Sequence, residues 1–443
     1  MALVLSVTGC TYLIFRTYKK WQSNPVIVSF DENSIPISTI PFPAVTICPG
    51  SMFKREAFNL TKFKSGAVYT EEQVTFQNAL YSVCPFIQPI PSDNKINFEL
   101  ELRKLALPFN EVFHECNWRG VKIDCSKKFH EVRTDEGVCY TFNMLDHKDL
   151  LKDVVDDTLK YPKNDKNSSN WSLEGGFTTN DVDIYPERAL GSGFQAGLRV
   201  ILVASKADLD YNCKGPVQGF KLSLHSPTDI PRFSKQFYRI PLRREVLLSV
   251  TPDVVKTAEG LQYYTPLTRQ CYYNGEKSLK YFKVYTQPNC ELECLTNYTL
   301  NSCNCTKYAM PFEKTTEICG WKKQKCYAEV EARWIIETWN EFLQDQTLDD
   351  QSKCHCLPAC TSIEYSADVS QGDLYFSEFK EYLNNRTSHI DQTSNAYGRG
   401  DYKTSVQIYF KDNNFIALKR SELYGLTDFL SNCGGLLGLF MVR

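Results

Sequence analysis

The chain has 443 residues, 18 cysteines, 13% aromatic residues and a formal net charge of −2, from 50 Lys and Arg against 52 Asp and Glu. The balanced charge lacks the basic excess of a nucleic-acid binder, and the aromatic content excludes disorder. A mean hydropathy of −0.35 excludes a polytopic membrane protein, which needs several apolar runs of about 20 residues.

The first segment, Met1 to Phe15, is apolar and is followed by Arg16, Lys19 and Lys20. It falls short of a bilayer span. No basic residue precedes it and no small-residue cleavage site closes it, so it does not read as a signal peptide. It reads as part of a transmembrane helix, although the basic residues on its inner flank oppose the positive-inside rule. Stretches 71–83 and 98–107 read as helices, and 161–170 as a polar loop. Gly191, Ser192 and Gly193 form a turn before a strand at 198–203. Further strands are expected at 220–224 and 237–250, rich in β-branched and aromatic residues. Stretch 328–346 is helical in period: Val330, Trp334, Thr338 and Phe342 recur at i+4 steps, with Ile335, Trp339 and Leu343 alongside. Val406, Ile408 and Phe410 alternate as on a half-buried strand at 405–410. A second apolar run, Gly434 to Val442, is again too short to span and reads as the start of another transmembrane helix.

The middle of the chain reads as extracellular. Setting aside Cys10 and Cys433 in the apolar ends leaves 16 cysteines, an even number that suits a full set of disulfides in an oxidising compartment. Glycosylation sequons stand at Asn59, Asn167, Asn170, Asn297, Asn304 and Asn385. Zinc is a rival for the pairs Cys303/Cys305 and Cys354/Cys356, but their spacing lacks the regular knuckles of structural zinc sites. No metal site is expected. His114-Glu115 and His130-Glu131 lack the second histidine of a zinc-protease helix, and no nucleophile elbow occurs. An enzyme is therefore not expected.

Several strings fall in a telling order: FPAVTIC at 42–48, CYTFN at 139–143, GFKLSLH at 219–225, a cysteine-rich stretch from Cys290 to Cys360 ending in CHCLPAC, and GGLLGLFM at 434–441. Collinear along essentially the whole chain, they resemble the epithelial sodium channel/degenerin family, which includes acid-sensing ion channels, and most of all its insect pickpocket branch. The resemblance implies an α+β fold: a large disulfide-rich ectodomain shaped like a hand, with β-sheet palm, β-ball and helical finger, knuckle and thumb, between two transmembrane helices. On this sequence the helices are expected at 1–20 and from 423 to 443, with the ectodomain at 21–422 and the thumb at about 271–360.

The resemblance also implies a disulfide map: Cys48–Cys139, Cys116–Cys125, Cys271–Cys360, Cys290–Cys356, Cys294–Cys354, Cys303–Cys326 and Cys305–Cys319. Cys84 and Cys213 are left over and are expected to form an eighth bridge. Ser431 matches the family's degenerin position, where a bulky side chain holds the pore open, and Asn432 follows it. Gly434, Gly435 and Gly438 lie at the expected pore entrance, Gly438 in the stretch associated with amiloride block. Small residues there also let helices approach closely in a membrane. Trp21 is a candidate for the aromatic that couples wrist to thumb. Asp345, Asp349 and Asp350 are candidates for the acidic pocket that senses protons in acid-sensing relatives, against the plainer reading of a solvated helix end. Val442 stands where the family's filter glycine is expected.

The implied function is a subunit of a voltage-independent, amiloride-sensitive sodium channel in the plasma membrane, gated through its extracellular domain. Na+ is the expected permeant ion and no cofactor is expected. The expected partners are related subunits in a homo- or hetero-trimer, and membrane lipid. The alternative is a non-conducting, membrane-anchored or secreted relative that binds or modulates channel subunits.

Overall fold

The computed structural model describes residues 2–23, 26–60, 69–84, 86–92, 96–159, 169–343, 354–376, 378–379, 382, 401–423 and 425–441. Among these the helices of eight residues or more are α1 (Ala2–Ser23), α2 (Glu71–Tyr81), α3 (Phe98–Leu105), α4 (Gln287–Cys303), α5 (Gln324–Leu343) and α6 (Leu426–Met441). The strands are β1 (Val26–Pro36), β2 (Ala44–Pro49), β3 (Phe113–Trp118), β4 (Val121–Ile123), β5 (Phe129–Thr134), β6 (Gly137–Phe142), β7 (Trp171–Ser172), β8 (Gly176–Phe177), β9 (Leu198–Ser205), β10 (Phe220–His225), β11 (Tyr238–Ile240), β12 (Arg244–Thr257), β13 (Ser362–Asp373), β14 (Asp401–Phe410) and β15 (Asn414–Glu422).

The large sheet runs β1-β15-β12-β14-β9-β3-β4, with β13 also paired to β12; a second sheet runs β11-β10-β2-β6-β5. Most pairs are antiparallel, but β12 lies parallel to both β14 and β15. The main core lies between the two sheets. The alternation read at Val406, Ile408 and Phe410 is real, and all three are buried. They meet Val246, Leu248 and Val250 of β12 and Leu198, Val200 and Leu202 of β9. The Phe42 ring sits at the centre, edge-on to Trp118 at 4.8 Å, Phe410 at 5.5 Å and Phe142 at 6.2 Å. Such edge-to-face pairs add about 0.5–1.5 kcal/mol each to the area they bury.

The helices at 71–83 and 98–107 form, slightly shorter than expected. Thr70 and Gln73 make a reciprocal capping box that starts α2. The helix α3 stops at Leu105, before Leu107-Pro108, because the residue preceding a proline is driven out of the helical region. The single strand expected at 237–250 is instead two strands in different sheets: β11 pairs with β10 in the second sheet, and β12 lies in the large sheet. Pro241 has no N–H to give to a ladder, and Arg243 takes a left-handed φ of 57° in the turn. The helix expected at 328–346 is α5, which starts four residues earlier. Among its described side chains Val330 is fully buried, whereas Ile335 and Trp339 are exposed; those of Thr338, Phe342 and Leu343 lie outside the described set.

The fold is thus a mixed α and β structure with many disulfides. No helix among the described residues is long and apolar enough to cross a membrane.

Candidate functional site

The two ends of the chain come together. Ser6 Oγ in α1 donates to the Phe440 carbonyl of α6 at 2.7 Å. A Cβ added at Gly9 would lie 3.4 Å from the Phe440 ring, so the missing side chain allows the close approach. Tyr18 meets Phe429 edge-on at 6.1 Å. The strands continuing from these helices are themselves partners. β1 pairs antiparallel with β15 from Val26↔Glu422 to Pro36↔Asn414, with a bulge between Phe30 and Ser34. A displacement of β15 therefore reaches both α6 and, through β1, α1.

Ser431, Asn432, Gly434, Gly435 and Gly438 all lie on α6 and are exposed in the single chain. A Cβ built on any of the three glycines meets nothing within 4 Å. Their exposure leaves a face of α6 uncovered by this chain. Trp21 lies in α1, and its side chain is outside the described set, as are Val442 and the three aspartates Asp345, Asp349 and Asp350.

At the same end of the large sheet, where β12 ends beside Arg420 of β15, stands the root of the helical arm formed by α4 and α5. Thr257 Oγ1, at the last residue of β12, donates to the Cys360 carbonyl at 2.6 Å. Tyr272 N donates to Pro358 O, and Cys360 N to Tyr272 O, beside the Cys271–Cys360 disulfide. The Arg269 side chain is buried here. It donates to the carbonyls of Cys271 and Tyr264 and pairs with Glu276. Glu293 in α4 accepts the backbone N–H groups of Lys280 and Tyr281 at 2.7 and 2.8 Å.

The structure joins Cys48–Cys139, Cys84–Cys213 and Cys116–Cys125 in the body. In and around the arm it joins Cys271–Cys360, Cys290–Cys356, Cys294–Cys354, Cys303–Cys326 and Cys305–Cys319. Cys10 and Cys433, in the terminal helices, are free. The 16 bridged sulfurs are not thiolates and hold no metal. Among the described residues no three His, Cys, Asp or Glu side chains converge as a metal site. The sequons at Asn167 and Asn385 lie outside the described residues. Asn170 and Asn304 are exposed and Asn59 and Asn297 half-buried, with Asn304 capping α4 in a left-handed conformation.

A cavity of about 220 Å³ separates the end of α2 from α4 and α5. Its carboxylates are already matched. Asp135 accepts the N–H groups of Phe233 and Ser234, and Glu331 pairs with Lys307. Leu292, Leu295 and Tyr308 supply an apolar wall. The described part of this cleft is a mixed-charge one, not a cluster of carboxylates.

Two features were invisible in the sequence. Glu187 is buried, accepts Trp118 Nε1 at 2.8 Å and Arg119 Nη2 at 3.1 Å, and pairs with Lys128. Its backbone N–H donates to Asn143 Oδ1, whose amide nitrogen donates to the Phe42 carbonyl. The second feature lies where β10 meets α4. Burial pushes His225 down to about 4 and Asp229 up to about 7. His225 has Thr46 Oγ1 at 2.9 Å from Nε2 and the Ser226 carbonyl at 3.0 Å from Nδ1.

The profile of the family described as "Amiloride-sensitive sodium channel" matches residues 1–441. The chain belongs to that family. It is 28% identical to Pickpocket protein 28 of Drosophila melanogaster, over 100% of this chain and 70% of the relative. It is 24% identical to the sodium channel protein Nach of Drosophila ananassae, over 98% and 76%. With acid-sensing ion channel 1C of Danio rerio it shares 21% identity, over 94% and 70%. The family is one of ion channels, not of enzymes, and needs no cofactor.

Proposed function

We propose that the chain is one subunit of a trimeric, voltage-independent, amiloride-sensitive sodium channel in the plasma membrane, with most of its length outside the cell. In this reading α1 and α6 belong to the two membrane helices, at about 1–20 and 423–443. The large sheet is the palm, the second sheet the β-ball, α2 and α3 the finger, and α4 with α5 the thumb. Related subunits complete the pore, and Ser431, Asn432, Gly434, Gly435 and Gly438 face them at its entrance. Exposure of those five residues in the single chain fits that role.

The observation that carries this reading is the pairing of β1 with β15 directly beneath the paired helices α1 and α6. The arm is anchored on β12 at Thr257, and Thr257 is the register partner of Arg420 in β15. A stimulus that tilts the arm pulls on β12, then on β15, and so on α6. The described thumb–finger cleft, with its matched charges, supports gating by something other than clustered carboxylates in that part of the cleft.

The test is current recording from oocytes that express the chain alone and together with other pickpocket-type subunits. A sodium current blocked by amiloride and unaffected in its gating by voltage is expected, as is a larger resting current for Ser431→Phe. If the chain gives no current alone and changes none when co-expressed, the proposal fails.

A further inference from the structure

Where the arm meets the large sheet there is a cavity of about 190 Å³. It is large enough for about six waters, each with its usual share of volume. Its walls come from three parts of the fold. Asp229 lies after β10, Thr286 to Pro288 begin α4, and Val255, Ile363 and Arg420 come from β12, β13 and β15.

The charge-bearing residues on these walls are Asp229, Glu364 and Arg420, and among the described residues no ion pair joins Asp229 to Arg420. Asp229 Oδ1 is buried and has no hydrogen-bond partner among the described residues, and the same holds for Arg420 Nη1. A buried charge-bearing atom left without a partner carries its full desolvation cost. Burial accordingly pushes the Asp229 carboxyl up, with Glu364 adding to the effect while Thr286, Lys235 and Thr228 oppose it. It also pulls Arg420 down. Apolar groups of Leu173, Val255 and Ile363 line part of the space, beside polar ones from Thr228, Gln287 and Ser362.

Thr286 and Thr228 hydrogen-bond the Asp229 carboxyl, but a molecule that also meets its free Oδ1 and Arg420 Nη1 would carry a cation at one end and an anion at the other, with a small body between. We propose that this cavity binds a small aliphatic α-amino acid, its ammonium group on Asp229 and its carboxylate on Arg420. The guanidinium suits a carboxylate because it can donate two parallel hydrogen bonds. The start of α4 supplies a positive helix end nearby. The bound molecule would tie Asp229, beside the base of the arm, to the strand that leads into α6. The binding site is argued from these walls alone, so it stands or falls separately from ion conduction.

The experiment uses the purified full chain in detergent, with its melting temperature followed during titration by glycine, alanine and valine. Saturable upward shifts are expected with alanine and valine. N-acetylalanine lacks the ammonium charge and alaninamide lacks the carboxylate, and each is expected to bind at least about tenfold more weakly. Asp229→Asn and Arg420→Gln are expected to weaken alanine by a similar factor. Complete bridging of both variants is checked by a count of two free thiols after denaturation, those of Cys10 and Cys433. Absence of any shift with all three amino acids would overturn the proposal. So would equal binding of the two single-charge analogues to the unmutated chain, a comparison that does not depend on the variants folding.

Discussion

The sheet body and the helical arm are held together by different means. In the body, two sheets close on one continuous core from Phe42 to Phe410, and only three disulfides serve it and the helices α2 and α3. The arm and its root carry five disulfides between Cys271 and Cys360. The far end of the arm has only a small cluster of its own, made mainly of Cys303, Cys305, Cys319 and Val330. A segment with so little apolar surface to bury cannot offset its conformational entropy by packing, and covalent links supply the difference. The contrast teaches that the body is the part whose shape is fixed by side-chain fit. The near half of the arm shares in that fit, with Phe282, Leu292 and Leu295 packed beside Val132, Met144 and Leu150, and its far end is the part held mainly by disulfides.

The largest effect is expected in the body. Glu187→Ala leaves Arg119 and Lys128 facing a buried space and takes the acceptor from Trp118 Nε1. Removing one partner of a buried ion pair typically costs about 3–5 kcal/mol. Chemical denaturation of the purified chain should show that loss in the main unfolding transition. If Glu187→Ala melts like the parent, packing alone holds the body and the contrast drawn above is too weak.

A smaller and more local loss is expected in the arm. Cys305 and Cys319 close a loop with a sequence separation of 14. A loop of that length is worth about 3 kcal/mol in the chain-entropy account. The double variant Cys305→Ser/Cys319→Ser should therefore speed proteolysis within α4 and α5 while the main transition of the sheets moves little. A drop in the main transition as large as that of Glu187→Ala would mean that arm and body unfold together.

What the sequence revealed follows the same division. Alternation exposed β14 because one face of that strand is buried and the other is not. The crossing from β11 in one sheet to β12 in the other was missed because apolar residues continue across Pro241 and Leu242, and periodicity cannot see a break that keeps its hydrophobic residues. The arm's bridges came from resemblance to a family, since cysteine spacing alone leaves many pairings open. The outward-facing Ile335 and Trp339 were misread because a helical stripe shows which residues share a face, not which face is covered. The Glu187 hub and the pair Asp229 and Arg420 were illegible for a simpler reason. Their partners lie tens to hundreds of residues away, and a single charge leaves no periodic trace.

The smallest expected effect lies at the seam of the two regions, and it is partly hidden in the unmutated chain. His225 ends β10 in the body, and Asp229 sits against Thr286 at the base of α4. His225 falls from an ordinary 6.5 to about 4, so between those values the unfolded chain binds the extra proton and stability is lost as pH falls. Asp229 rises from 3.8 to about 7. Across that window the folded chain holds the extra proton, and stability is lost as pH rises. Each slope is at most about 1.4 kcal/mol per pH unit for one proton, and over the shared window the two oppose each other. The parent should accordingly show little net slope from this seam between about pH 4 and 6.5. Asp229→Asn should uncover a melting temperature that climbs with pH over that window, and His225→Gln one that declines. Melting curves of the two variants at several pH values, free of added amino acids, decide the matter. Parallel profiles for both variants would show that neither buried group keeps its shifted proton affinity, and that water reaches the seam between arm and body.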